Sequence, residues 1–316
     1  MYSIGIDLGG TNIAAGIVDQ EGKILAKGSL PTQRQRPADQ IVDDMAALCR
    51  ELMSKTNLGI EDISFCGIST PGVANQATNC VDYSCNLPFL KYPIAAKLQE
   101  RLPVKEIGIE NDANCAAKGE AEVGAAKDVA DSVFITLGTG VGGGIIINHK
   151  VYQGFNYAGA ELGHIVIEKD GWQCGCGRKG CWEAYSSVTG LIRMTREAMQ
   201  NDPKSLMWQL CEGDLDKVNG KTSYDAMRQG DLTAEKVIDK WTDYLACGLT
   251  NIVNIFQPEI LSIGGGISKE GDTLLIPLRE KVNREQYARH CDKVTEYRIA
   301  QLGNDAGIIG AALLNR

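Results

Sequence analysis

Tyr2-Ser3-Ile4-Gly5-Ile6-Asp7-Leu8-Gly9-Gly10-Thr11-Asn12-Ile13-Ala14-Ala15-Gly16-Ile17-Val18 opens the chain and sets the frame for its fold. Two β-rich runs, 2–8 and 12–18, flank a turn of Gly9, Gly10 and Thr11, and the carboxylate of Asp7 stands near the end of the first run. The same program returns later. Residues 132–137 form an apolar strand, Gly138-Thr139-Gly140 turns the chain, and residues 141–148 make a second, glycine-studded strand. A third cluster, Gly264-Gly265-Gly266, closes the apolar run 260–263. The recurrence reads as an internal duplication, two lobes serving one ligand.

Outward from these turns, the periodicity predicts a third strand over 23–30, a helix over 38–56, a short strand over 63–68, a helix over 93–102 and a strand over 106–110. Residues 113–124 read as a helix and 185–245 as mostly helical. A separate helix is predicted over 243–256 and a last apolar one over 306–314. Strands followed by strand–helix–strand alternation make this an α/β chain with mixed sheets and covering helices. The expected division is an N-terminal lobe, 1–117, to which a last helix at about 304–316 returns. A larger C-terminal lobe, 118–303, carries a cysteine loop and a helical insertion.

The 316 residues are 44% hydrophobic and 23% charged, an ordinary globular composition. The formal net charge of −8 argues against nucleic acid as a partner. No stretch approaches the roughly 20 apolar residues of a membrane span, and the first residues lack the basic and apolar regions of a secretory signal. A cytoplasmic protein with no membrane partner is expected.

Phosphate is best gripped by backbone N–H groups that approach it closely, which favours residues without Cβ. Gly9-Gly10-Thr11, Gly138-Thr139-Gly140 and Gly264-Gly265-Gly266 all qualify, although a Gly-Gly pair also simply makes a hairpin. None carries the Gly-Lys-Ser/Thr of a P-loop. Asp7 is placed to hold Mg²⁺ beside nucleotide phosphates, or else to cap its own turn. Glu110-Asn111-Asp112 lies where a strand gives way to a helix; the Asn111 and Asp112 side chains are ligand-binding candidates or the helix cap. Of eleven cysteines, three crowd into Cys174-Gly175-Cys176-Gly177-Arg178-Lys179-Gly180-Cys181. With His164 they form a Cys₃His set suited to structural Zn²⁺, the alternative being a redox-active thiol cluster.

Together these motifs resemble the ROK family of sugar kinases, in the actin/hexokinase/Hsp70-type ATPase superfamily. Besides those quoted, Ser69-Thr70-Pro71-Gly72, Glu161-Leu162-Gly163-His164, Trp182-Glu183 and Ile267-Ser268 carry the match, in the family's order. The resemblance implies a two-lobed ribonuclease-H-like fold and ATP-dependent phosphorylation of a hexose at its 6-hydroxyl, glucose first. N-acetylmannosamine, N-acetylglucosamine, allose or fructose are alternatives, as is a sugar sensor without catalysis. By resemblance the first two glycine turns hold ATP phosphates and the third lies by the adenosine. Asp112 is the general base. Asn86, Asn111, Asp112, Glu161, His164 and Glu183 bind the sugar, with His164, Cys174, Cys176 and Cys181 on zinc. The resemblance also implies a homodimer or homotetramer. With a strand read from residue 2, the helix-turn-helix of the family's repressors is expected to be absent.

Overall fold

Alternation along the first strand sorts its side chains onto two faces, and that sorting builds the first half of the molecule. The computed structural model describes all 316 residues. Strands β1 (Tyr2–Leu8), β2 (Asn12–Val18) and β3 (Ile24–Pro31) form a meander, followed by helix α1 (Ala38–Thr56) and strand β4 (Ile63–Thr70). Three short strands, β5 (Val73–Asn75), β6 (Cys80–Tyr83) and β7 (Leu90–Tyr92), lead to α2 (Ile94–Arg101), β8 (Ile107–Asn111) and α3 (Asp112–Val123). Next come β9 (Ser132–Leu137), β10 (Val141–Ile147) and β11 (Lys150–Val151). The helical stretch holds α4 (Trp182–Ser186), α5 (Val188–Asn201), α6 (Met207–Leu210), α7 (Thr222–Arg228) and α8 (Leu232–Phe256). The chain closes with β12 (Ile260–Gly264), α9 (Asp272–Glu285), β13 (Glu296–Ile299) and α10 (Ala306–Ala312). No helix is long and apolar enough to cross a membrane.

One sheet runs β3-β2-β1-β4-β8 and a second runs β11-β10-β9-β12-β13. The strand order of the second repeats that of the first, the topological counterpart of the repeated strand–turn–strand sequence. A small antiparallel sheet, β5-β6-β7, stands apart.

The chain divides into two compact units, one of Met1–Phe134, Gly144–Ala160 and Ala300–Arg316, the other of Ile135–Gly143 and Glu161–Ile299. The boundary expected after residue 117 falls inside α3. Ala117, Phe134 and Ile146 share a buried cluster, which keeps residues 118–134 and 144–160 with the first unit.

In the first unit Ile4, Ile6 and Leu8 pack with Ile41, Met45, Leu48 and Leu52 of α1. The opposite face of β1 carries Gly5 and Asp7 and meets α10. A Cβ on Gly5 would lie 1.8 Å from the Ile308 carbonyl oxygen, and one on Gly67 of β4 the same distance from that of Ala311. On the α3 side, a Cβ on Gly310 would lie 1.6 Å from the Cys115 carbonyl oxygen. Glycine on both partners thus lets α10 approach backbone to backbone.

In the second unit Asp231 caps α8, accepting from the N–H groups of Thr233 (2.8 Å) and Ala234 (3.0 Å). This helix runs unbroken to Phe256, so the end of the mostly helical stretch read over 185–245 and the helix read over 243–256 meet in one element. Gly248 sits inside it because Trp182 fills the space a side chain would take, 2.1 Å from its Cβ position. Met199, Met207, Cys211, Val218, Ala226 and Ala234 form the buried core of the helical insertion.

Candidate active site

Parallel pairing of β1 with β4 sets Asp7 opposite Ser69, whose hydroxyl donates to Asp7 Oδ1 at 3.1 Å. Burial pushes the Asp7 carboxyl above its ordinary range; the Ser69 bond opposes this and the nearby Asp112 charge adds to it. A Cβ on Gly307, at the start of α10, would lie 2.9 Å from the Asp7 carboxyl carbon, so glycine is required for this approach. The turn after Asp7 is held by Thr32. Its hydroxyl donates to the Gly9 carbonyl at 2.7 Å, and its N–H donates to the Thr11 carbonyl at 2.8 Å. Asn86 stands beside the same turn, its Cβ 3.6 Å from where one on Gly10 would be.

Asp112 begins α3. Its carboxylate Oδ1 accepts from the Ala113 N–H at 2.9 Å. The side chain keeps solvent-accessible surface yet is walled by protein on most sides, and this desolvation pushes its carboxyl upward against the hydrogen bonds that lower it. A carboxylate that is reachable but poorly hydrated is what a general base needs.

Asn111 is the cap of this helix, its Oδ1 accepting from Ala113 N (2.9 Å) and Asn114 N (3.3 Å). Its Nδ2 donates to the Gly72 carbonyl at 3.2 Å. The same side chain is within hydrogen-bonding reach of the Asp112 carboxyl and helps to lower its pKa. Glu110 is buried beneath the pair.

In the second unit, Gly138 N–H donates to the Gly140 carbonyl at 3.0 Å, closing the glycine–threonine turn. The turn rests on the start of α5: Val188 N–H donates to the Gly138 carbonyl at 2.9 Å and Thr189 Oγ1 to that of Thr139 at 2.8 Å. Gly265 takes φ +89°, and a Cβ there would be 2.1 Å from the Leu137 carbonyl oxygen, so the Gly264–Gly266 turn packs directly on the strand entering the second turn. The Cβ positions of Gly138 and Gly266 face open space. Among these nine turn residues the left-handed conformation is confined to Gly265. Close approach accounts for Gly140 as well as Gly265, whereas no neighbouring atom requires Gly138 or Gly266 to lack a side chain.

The side chains of His164, Cys174, Cys176 and Cys181 converge, their ligand atoms all within 4.8 Å of one another. Cys176 and Cys181 sulfurs are 3.6 Å apart, and Cys174 Sγ is 3.7 Å from His164 Nδ1. Zinc–sulfur bonds of about 2.3 Å at tetrahedral angles separate sulfurs by about 3.7 Å, so this set fits Zn²⁺. Gly177 (φ +92°) and Gly180 (φ +77°) make the reversals that bring the sulfurs together.

Glu183, two residues after Cys181, links the cluster to the glycine turn. Its Oε2 accepts from the Val141 N–H at 3.0 Å, and its Oε1 lies 3.6 Å from Cys174 Sγ. Gly140 must lack a side chain because a Cβ would be 2.3 Å from Glu183 Oε2. Glu161 is exposed just before the one-turn 3₁₀ helix Leu162–His164, and its carbonyl accepts from the His164 N–H at 3.1 Å.

The first unit thus brings together Asp7, Gly9, Gly10, Thr11, Asn86, Asn111 and Asp112. The second brings together the other two glycine turns, Glu183 and the Cys₃His cluster. Ser69, Thr32 and Glu110 support the first group and were not singled out as site residues in the sequence. The Ser-Thr-Pro-Gly motif and the Glu-Asn-Asp run contained two of them.

Two sheets of one strand order, with glycine turns at their strand ends, define a phosphotransferase of the actin-like ATPase fold. The family model of the ROK family matches residues 3–316, and the chain belongs to that family. A glucokinase of Streptomyces coelicolor is 37% identical over 316 residues, covering 99% of this chain and 97% of its own. One from Thermotoga maritima is 38% identical over 311 residues, covering 98% and 95%. The crystal structure of a ROK family glucokinase from Streptomyces griseus, in complex with glucose and AMPPNP, matches with a TM-score of 0.80 at 35% identity, covering 99% of this chain and 98% of that one.

Proposed function

We propose that this chain transfers the γ-phosphoryl group of ATP to the 6-hydroxyl of glucose. That it is an ATP-dependent hexose kinase follows from its glucokinase relatives and the glucokinase fold it shares. The observation that carries the mechanistic reading is Asp112: a solvent-reachable carboxylate at the start of α3, raised in pKa by desolvation and in electrostatic reach of Asp7.

Asp112 accepts the proton of the attacking hydroxyl. Phosphoryl transfer otherwise demands positioning and charge stabilisation, with little covalent work for the protein. The Gly9–Thr11 and Gly138–Gly140 turns offer N–H and hydroxyl donors to phosphate oxygens, and Gly264–Gly266 gives clearance for the adenosine. Asp7, with one oxygen on Ser69, has its other oxygen for Mg²⁺ or its water shell. Mg²⁺, when bound, neutralises charge on the β- and γ-phosphates. Asn86, Asn111, Glu161, His164 and Glu183 pair donors and acceptors with sugar hydroxyls, which are both. His164, Cys174, Cys176 and Cys181 would hold Zn²⁺ in a closed shell that fixes the loop structurally. Ligation through His164 Nδ1 leaves Nε2–H as a donor for the sugar. A homodimer or homotetramer belongs to this reading, and light scattering on purified protein tests it.

The decisive experiment measures sugar-dependent ADP release with glucose, N-acetylmannosamine, N-acetylglucosamine, allose and fructose, taking kcat/KM for each. Glucose is expected to lead by about tenfold or more. Preference for another sugar overturns the substrate assignment, and absence of sugar-dependent ADP release overturns the catalytic one.

A further inference from the structure

Glu110 lies one residue before Asn111 at the end of β8, and 1% of its surface is exposed. Its partners are backbone and side-chain amides, with no cation among them. Burial pushes the carboxyl upward while these donors pull it back. An ionisable group kept in such surroundings without an ion pair is costly unless its acceptor-only chemistry is needed.

The two oxygens divide their work. Oε1 accepts from the Asn111 N–H at 2.7 Å and from Asn114 Nδ2 at 3.0 Å, both at the start of α3. Oε2 accepts from Gln76 Nε2 at 2.7 Å, in the turn after β5, and also from Gln153 Nε2. Gln153 opens the segment 153–160, and the N–H of Gly159 returns to its carbonyl at 2.8 Å, closing a loop. That loop holds Tyr157 (φ +62°) and Ala160 (φ +65°) in the left-handed region, a conformation that needs anchoring to persist. It runs directly into Glu161. Because a carboxylate only accepts, both glutamine amides must turn Nε2 inward and Oε1 away.

We infer that Glu110 is a positioning residue: it fastens the 153–160 loop, through Gln153, to the helix start that carries Asp112, and so sets the enzyme's affinity and selectivity for its hexose. The inference rests on the proposed sugar-kinase reading. Chemistry at Asp112 does not pass through this link, so its loss is read in the sugar KM and not in kcat.

The test uses three variants of the full chain. Gln153→Ala removes one donor and is expected to raise the KM for glucose about tenfold, with kcat changed less than about twofold and the KM for ATP unaltered. Gln153→Glu places a second carboxylate against Glu110 and is expected to do at least as much. Adding Glu110→Gln to Gln153→Glu supplies an amide that donates to the new carboxylate, so the sugar KM returns toward the parent value. Hydrogen exchange of the 154–160 amides is expected to quicken in both single variants and slow again in the double. A parent-like sugar KM in Gln153→Ala, or a double variant no better than Gln153→Glu, overturns the inference. Parent protein lacking sugar-dependent ADP release defeats the proposed function instead, while exchange in the loop still reports whether Glu110 anchors it.

Discussion

Asp7, Glu110 and Asp112 are three carboxyls that burial pushes above their ordinary range within one unit. A carboxyl raised by folding binds its proton more tightly in the native state. The stability it lends is present below the unfolded value, near 4, and is lost as pH rises through the folded value. At neutral pH the ionised groups therefore oppose folding. Asp112→Asn is expected to cut kcat by about 10²–10⁴-fold while sugar affinity holds, and to leave the Tm unchanged or higher. Calorimetry with steady-state kinetics checks both halves; a lower Tm with intact turnover contradicts the assignment. In the parent enzyme the acid limb of kcat/KM is expected above the ordinary aspartate value of 3.8, because the base must be ionised to work.

Elements differ in how far their sequence betrays them. Strand β1 follows alternation, β4 and β9 are short apolar runs and helix α1 follows 3.6-residue spacing, and each forms where its pattern places it. The strands β5, β6 and β7 are three or four residues long, too short for a period to register, and they exist through pairing with one another. Likewise β13 (Glu-Tyr-Arg-Ile) is a strand because parallel pairing with β12 makes it one. The cysteine loop is the opposite case: spacing and glycines give the convergence of its sulfurs directly. What no spacing shows is the reach of Glu183 from this loop to Val141, since their contact spans 42 positions. Through that contact the loop's order should matter beyond its own fold. On the proposed zinc reading, Cys176→Ser is expected to lower the bound metal below that of the parent chain, raise the glucose KM about tenfold or more and depress the Tm. Metal analysis beside kinetics checks it, and a zinc-free variant with parent-like KM would show the loop to be independent of the sugar.

For the molecule as a whole, the repeated strand order of the two sheets was readable in the repeated strand–turn–strand sequence, but the assignment of Gly144–Ala160 to the first unit and of Ile135–Gly143 to the second was not. Contacts such as Ala117 with Phe134 and Ile146 override the lobe boundary expected from chain order. Global stability should respond to ligand by mass action: glucose at 100 times its Kd adds about 2.7 kcal/mol. A Tm rise of several degrees with glucose, absent with a hexose that fails in the ADP assay, is the expected outcome. Equal shifts with every sugar would speak against selective binding.

The backbone-to-backbone seat of α10 against Gly5, Gly67 and Cys115 has a consequence for biosynthesis. Strands β1 and β4 are completed by a helix synthesised long after them, so their sheet leaves the ribosome with one side bare. During the interval, about 15–60 s at 5–20 residues per second, that side is open to chaperones or to aggregation. A premature stop codon before position 306 would leave an early domain unable to mature, however complete its own strands.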